Sequence, residues 1–267
     1  MTKLKLKTKK MLAEKIDGIG WITFNNPERR NAIGFAMREA ILDIIADFEK
    51  DRSIRVVVMK GAGEKAFVSG SDISEFDQLR SSPSQVKIYD ELSTKVNIAL
   101  DSLRLPIIAM IRGFCMGGGL GTALQADIRL ATSNSIFGLP AARLGIGYSF
   151  RNMKRLVDLV GPTFAKEIIF TADRYSAQEA LSMGLVNKVV KPNELEAEVL
   201  KIARSIADNA PLTIQTAKLT IEELMKPKSE RNVREIQNAI DKCMESKDYI
   251  EGRKAFMEKR EPKFRGR

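Results

Sequence analysis

Two short runs in this chain could hold a ligand on bare backbone: Ser69-Gly70-Ser71-Asp72 and Phe114-Cys115-Met116-Gly117-Gly118-Gly119-Leu120-Gly121. Glycine has no Cβ, so the chain can take positive φ and let a ligand approach closely. A helix that follows such a turn leaves its first N–H groups without intrahelical partners. The spacing therefore suits an anion: a nucleotide phosphate, or an oxyanion that exists only while a thioester reacts. Taken alone, the glycines are also compatible with a tight turn that holds nothing. The chain has no histidine, which rules out Ser-His-Asp and Cys-His mechanisms, His-ligated zinc and imidazole acid–base catalysis. Chemistry must rest on backbone donors, carboxylates, Tyr, Lys, Ser or Cys.

Other motifs are weaker. Gly61-Ala62-Gly63-Glu64-Lys65-Ala66 satisfies a dinucleotide-binding G-x-G-x-x-A, but such a unit needs a helix to start there, and Phe67-Val68-Ser69-Gly70 reads as extended. There is no P-loop and no G-x-S-x-G elbow. Two cysteines, Cys115 and Cys243, suit a reducing compartment and cannot build a metal cluster, so no metal site is expected. No apolar run is long enough to span a bilayer, and the start MTKLKLKTKK lacks a secretory signal core; its basic character is compatible with an organellar presequence, but a cytoplasmic, non-membrane protein is the default expectation. The net charge of +10 is concentrated at the ends: Lys3, Lys5, Lys7, Lys9 and Lys10 near the start, and seven basic against three acidic residues over 251–267. The body between carries only +1. This argues against DNA and against a broad RNA-binding face, leaving basic tails that hold RNA or an anionic membrane surface weakly, or stay solvated.

The elements that must carry these turns follow from periodicity. A hairpin is predicted from Met11 to Ile16 and Gly20 to Phe24 about Asp17-Gly18. A helix follows over Phe35–Lys50 with Ile41, Ile44, Ile45 and Phe48 on one face, then a buried strand from Ile54 to Met59. A glycine-bearing loop from Gly61 to Asp77 leads to a short helix, and Pro83 to Leu103 reads as a longer one with Ile88, Leu92, Val96 and Ala99 inward. Next come a strand to Ile111, a helix Leu120–Ala126, a strand Ile128–Thr132 and a helix Met153–Val160 ended by Gly161-Pro162. A short strand is predicted at Val186–Val190. Helices then follow near 194–208, 211–225, 232–244 and 248–259. The chain divides into a β-rich core and a helical C-terminal part.

The pair of glycine turns, in this order and with Ile22-Thr23-Phe24-Asn25-Asn26-Pro27 upstream, resembles the crotonase (enoyl-CoA hydratase/isomerase) superfamily. The likeness extends through Arg30-Asn31-Ala32, Ala66 to Ile73, Ala126-Asp127-Ile128-Arg129, Phe137-Gly138-Leu139-Pro140, Ala180 to Val186 and Ala255 to Arg267. It implies an α/β fold, a β-β-α spiral (ClpP/crotonase-like) with an acyl-CoA-binding core over 1–190. A helical region over 191–267 would trimerise the chain, into a homotrimer or a hexamer built as a dimer of trimers. It also implies an oxyanion hole on the backbone N–H groups of Ser71 and Gly118. Coenzyme A, part of the substrate and so no separate cofactor, would lie along Arg29, Arg30, Ala32, Ser69, Asp72 and Ile73. Phe256 and Lys259, from a neighbouring subunit, would meet its adenine and phosphate.

Within that resemblance the chain departs from a hydratase. Hydratases of the superfamily carry one glutamate just after the glycine run and one directly after Phe-Gly-x-Pro; here these positions are Gly121 and Ala141. Ser149 stands at the distal aspartate of dienoyl isomerases. Loss of both carboxylates favours a reaction that makes the enolate without deprotonation, namely decarboxylation of a malonyl- or methylmalonyl-type CoA. Tyr148 matches the register of an active-site tyrosine in methylmalonyl-CoA decarboxylase, whose histidine is replaced here by Ser71; alternatively Tyr148 only lines an acyl pocket. The expected activity is thus an acyl-CoA lyase of decarboxylase type. The alternatives are a hydratase/isomerase of unusual site composition and a non-catalytic member that binds acyl-CoA or RNA.

Overall fold

The computed structural model describes residues 2–75 and 81–267. Along the chain run β1 (Thr2–Lys3), β2 (Met11–Ile16), β3 (Ile19–Phe24), α1 (Phe35–Lys50), β4 (Val56–Gly61), β5 (Ala66–Val68), α2 (Pro83–Ser102), β6 (Ile107–Ile111), β7 (Phe114–Met116) and α3 (Gly118–Ala123). There follow β8 (Ile128–Thr132), β9 (Ile136–Gly138), α4 (Ala141–Leu144), α5 (Phe150–Thr171), β10 (Tyr175–Ser176), α6 (Ala177–Ser182) and β11 (Lys188–Val190). The last helices are α7 (Leu195–Asp208), α8 (Pro211–Leu224), α9 (Val233–Met244) and α10 (Lys247–Met257).

Two sheets result. The larger has the order β1-β2-β3-β4-β6-β8-β11 and is parallel from β3 onward; the smaller has the order β10-β9-β7-β5. The pairs β4–β5, β6–β7 and β8–β9 each give one strand to either sheet before the chain enters a helix or returns. This is the expected β-β-α spiral. Alternation builds its two cores. In β4 and β6, Val57, Met59, Ile107, Ala109 and Ile111 join α1 and the small sheet in one buried cluster. Val56, Val58, Ile108 and Met110 face the other way, onto Leu195, Val199 and Ala203 of α7. A period of two along a strand buried on both faces produces both surfaces.

Several expectations need correction. The small sheet was not predicted as such, because strands of three residues carry no periodicity. The helix expected to end at Gly161-Pro162 resumes beyond them: Gly161 takes φ 76 and kinks α5, and Pro162 opens the second segment as a first-turn proline. The buried face of α2 is Tyr89, Leu92, Val96 and Leu100, with Ile88 exposed. After Gly61-Ala62-Gly63 the chain enters strand β5, so no helix opens at that turn as a dinucleotide site requires. The short helix expected beyond Asp77 lies outside the described residues.

The small sheet is tied to the rest by Asn31, which is almost fully buried and left-handed at φ 58. Its side-chain Nδ2 donates to the carbonyls of Ala62 (3.0 Å) and Ala66 (2.8 Å), and its side-chain oxygen accepts from the Asn26 backbone amide at 3.0 Å. Asn31→Ala should lower the unfolding free energy by about 2–4 kcal/mol, since it strands three buried polar groups. Urea denaturation checks this. Two glycines of α3 should behave oppositely. A Cβ on Gly119 would sit 2.0 Å from the Val68 carbonyl oxygen, whereas one on Gly121 meets nothing within 4 Å. In the same assay Gly119→Ala should cost about 1–3 kcal/mol, and Gly121→Ala should gain up to about 1 kcal/mol.

Candidate active site

The site is built where β5 and β7 end. They run parallel, with Ala66 beside Phe114 and Val68 beside Cys115 across a bulge, so both chains leave the sheet at the same level and each turns on glycine. Gly70 takes φ 130 and Gly117 takes φ 53 with ψ −122, conformations that a side chain would strain. The Gly117 amide donates to the Gly138 carbonyl at 2.8 Å, fixing the turn against the end of β9.

Both expected oxyanion donors are left available. Ser71 forms an isolated parallel bridge with Ile33, in which the Ile33 amide donates to the Gly70 carbonyl (2.8 Å) and the Asp72 amide to the Ile33 carbonyl (3.0 Å). In that pattern the N–H of Ser71 points away from Ile33. Gly118 opens α3, so its N–H has no intrahelical acceptor. The two turns pack closely: a Cβ built on Gly118 would lie 3.5 Å from the Ser71 amide nitrogen and 3.4 Å from its Oγ. Glycine at 118 keeps this space open.

The residues proposed to meet coenzyme A are placed as follows. Pro27–Arg29 is a single 3-10 turn, after which Arg30 and Asn31 are both left-handed. Arg30 stacks on the Phe114 ring at 5.0 Å, and the Ser69 amide donates to its carbonyl at 3.1 Å. Ser69 Oγ donates to the Arg29 carbonyl at 3.2 Å, which zips this segment to the Ser69–Asp72 turn. Ala32 is buried and Ile73 is exposed. Asp72 is 4% exposed, accepting from Ser74 Oγ at 2.7 Å and from Arg29 Nη1 at 3.4 Å. Its carboxylate therefore orders the loop and faces inward. Glu75 accepts from the Phe35 amide at 2.7 Å and caps α1. Phe256, 83% exposed on α10, lines an apolar cleft of about 820 Å³ built entirely from residues 210–264, and Lys259 follows with φ 54. Neither glycine turn contributes to this cleft or to a larger cavity of about 1300 Å³ between the core and the C-terminal helices.

Gly121 and Ala141 flank the turn from two sides. Gly121 lies one helical turn from Gly117, accepting no side-chain neighbour in the space a Cβ would take. Ala141 follows Pro140, whose Cδ is 3.9 Å from where a Cβ on Gly117 would be. Tyr148 is half-buried against the main core, between α4 and α5, and burial pushes its hydroxyl up to about 12. It is therefore a proton donor, never a base, near neutral pH. Arg143 faces outward in an exposed pair with Asp173. One contact escaped sequence reasoning: Arg38 Nη2 of α1 donates to Ser71 Oγ at 3.1 Å. Helical spacing carries no signal for it, because Arg38 and Ser71 are 33 positions apart in the chain.

Residues 14–267 match the family described as enoyl-CoA hydratase/isomerase. The chain is 37% identical over 250 residues to a short-chain-enoyl-CoA hydratase of Clostridium acetobutylicum, covering 94% of this chain and 95% of that one. It is 35% identical over 254 residues to a crotonyl-CoA hydratase of Syntrophomonas wolfei, covering 95% and 97%. Among solved structures, an enoyl-CoA hydratase/carnithine racemase from Magnetospirillum magneticum aligns with a TM-score of 0.91 at 34% identity over 98% of this chain and 97% of that one. An enoyl-CoA hydratase from Bacillus anthracis aligns at 0.90 and 31% identity, over 97% and 100%. No helix among the described residues is long and apolar enough to cross a membrane. With spiral, paired glycine turns and near-complete coverage in agreement, the chain belongs to the enoyl-CoA hydratase/isomerase family.

Proposed function

We propose that the chain binds an enoyl-CoA thioester and carries a hydratase/isomerase reaction through its enolate, held by the N–H groups of Ser71 and Gly118. The observation that carries this reading is the close packing of the two glycine turns, in which a Cβ on Gly118 would lie 3.5 Å from the Ser71 amide nitrogen and 3.4 Å from its Oγ. The names of the relatives support it in place of the decarboxylase expected from the sequence. As the double bond is attacked, charge moves onto the thioester oxygen, and two fixed donors stabilise that charge without reorganising. Arg29, Arg30, Ala32, Ser69, Asp72 and Ile73 lie along the coenzyme A path of this reading. Phe256 and Lys259 come from a neighbouring copy, in a trimer or a dimer of trimers in the cytoplasm.

One observation favours a second reading. Positions 121 and 141 hold Gly and Ala, so in hydration the proton lost by water must leave through another group. Decarboxylation of a malonyl-type CoA needs no base: loss of CO₂ leaves the electron pair in the enolate, and a donor such as Tyr148 returns a proton to Cα.

Mass spectrometry of the protein against crotonyl-, malonyl-, methylmalonyl- and ethylmalonyl-CoA separates the readings. Gain of water is expected with crotonyl-CoA; loss of CO₂ would select the second reading, and no change with any of them would leave a binding protein. Gly118→Ala should fold normally yet lose roughly 10²–10³ in turnover, because its methyl occupies the oxyanion space. Gly121→Glu should raise hydration roughly tenfold or more if a missing base limits it; an unchanged rate would show that the proton already has a route. In a tyrosinate absorbance titration, the signal lost on Tyr148→Phe should be one that ionises near pH 12, later than an ordinary tyrosine at about 10.

A further inference from the structure

The Ser71 side chain has a hydrogen-bond arrangement that the backbone role of Ser71 does not use. Its Oγ accepts from Arg38 Nη2 at 3.1 Å, and no acceptor for its own O–H is found among the described residues. A hydroxyl has two lone pairs and one proton; with Arg38 on one lone pair, the proton must point to another side. That side includes the oxyanion space, since Oγ lies 3.4 Å from where a Cβ on Gly118 would be, alongside the Ser71 amide nitrogen at 3.5 Å. Arg38 is itself held: its Nη1 donates to the Ile33 carbonyl at 2.8 Å, and its guanidinium lies 4.7 Å from the Tyr89 ring centre. The cation thus has a fixed position behind the hydroxyl, and it polarises the O–H outward.

We infer that the Ser71 hydroxyl is a third donor to the thioester enolate, a catalytic group, and that Arg38 is the positioning residue that aims it. This rests on the acyl-CoA reading above and adds to it. Three donors on one oxygen, one of them backed by a cation, compensate in part for the missing carboxylates at positions 121 and 141: they lower the energy of the enolate itself, whichever reaction forms it.

Acetoacetyl-CoA tests the assignment without turnover, because it ionises to an enolate with its own near-ultraviolet band. The wild-type protein should bind it and lower the pH at which the bound ligand ionises. Ser71→Ala keeps both backbone donors and should raise that midpoint by roughly 1–2 pH units, the worth of a hydrogen bond to a charged group, with affinity for free coenzyme A unchanged. Arg38→Met should shift the midpoint in the same direction, Arg38→Lys should restore part of it, and Arg38→Met should add little to Ser71→Ala in the double variant. A wild-type midpoint in Ser71→Ala would overturn the third donor while leaving the acyl-CoA reading intact. A shift in Arg38→Met that adds fully to that of Ser71→Ala would overturn the positioning role. Failure of the wild-type protein to bind acetoacetyl-CoA would overturn the acyl-CoA reading and this assignment with it.

Discussion

The site depends on the parallel pairing of β5 with β7. Each strand has only three residues, and neither would hold its shape alone; together with β9 they form a sheet whose ends are level. Because the pairing brings Val68 beside Cys115, the chains that leave them are forced to turn within a few ångströms of each other. A Cβ on Gly119 would strike the Val68 carbonyl, and one on Gly118 would lie 3.5 Å from the Ser71 amide nitrogen. Close approach of backbone to backbone, with side chains removed, packs the two turns against each other at the end of the sheet.

That pairing is held from outside by a set of polar contacts. Asn31 bridges Asn26, Ala62 and Ala66; Ile33 pairs with both neighbours of Ser71; Glu75 caps α1, and Arg38 of the same helix reaches Ser71 Oγ. Buried amides and carboxylates contribute little net stability when satisfied but are costly to break, so they select one geometry among several compact ones. These contacts fix the Ser69–Asp72 turn against α1 and the Asn26–Ile33 segment. The site is open at Gly121, where neighbouring atoms do not require glycine. The absence of a carboxylate there is a chemical property of this chain and no consequence of packing.

Legibility followed length and period. Helix α1, strand β8 and the hairpin strand β2 coincide with their predicted spans because each has enough residues for apolar spacing to show. Strands β4 and β6 were visible as apolar runs, although which residue faced α7 and which the main core was not. The small sheet was hidden: Ala66–Val68, Phe114–Met116 and Ile136–Gly138 are strands by virtue of pairing, and pairing is non-local. In α2 the buried face was misjudged at Ile88, because an amphipathic helix with apolar residues on two sides does not say which side its neighbour will take.

From the sequence come the glycines that permit the two turns, the absence of histidine that confines the chemistry, and the bare positions 121 and 141 that depart from a hydratase. These are properties of residue type, and no folding can alter them. Tertiary structure alone decided that the turns carrying Ser71 and Gly118 pack against each other, that the Asp72 carboxylate faces inward to order a loop, that burial keeps Tyr148 protonated, and that Arg38 donates to the Ser71 hydroxyl. Each of these is a distance or an environment shared by residues far apart in the chain, 33 positions in the case of Arg38 and Ser71. Such relations exist only once the strands between them have paired.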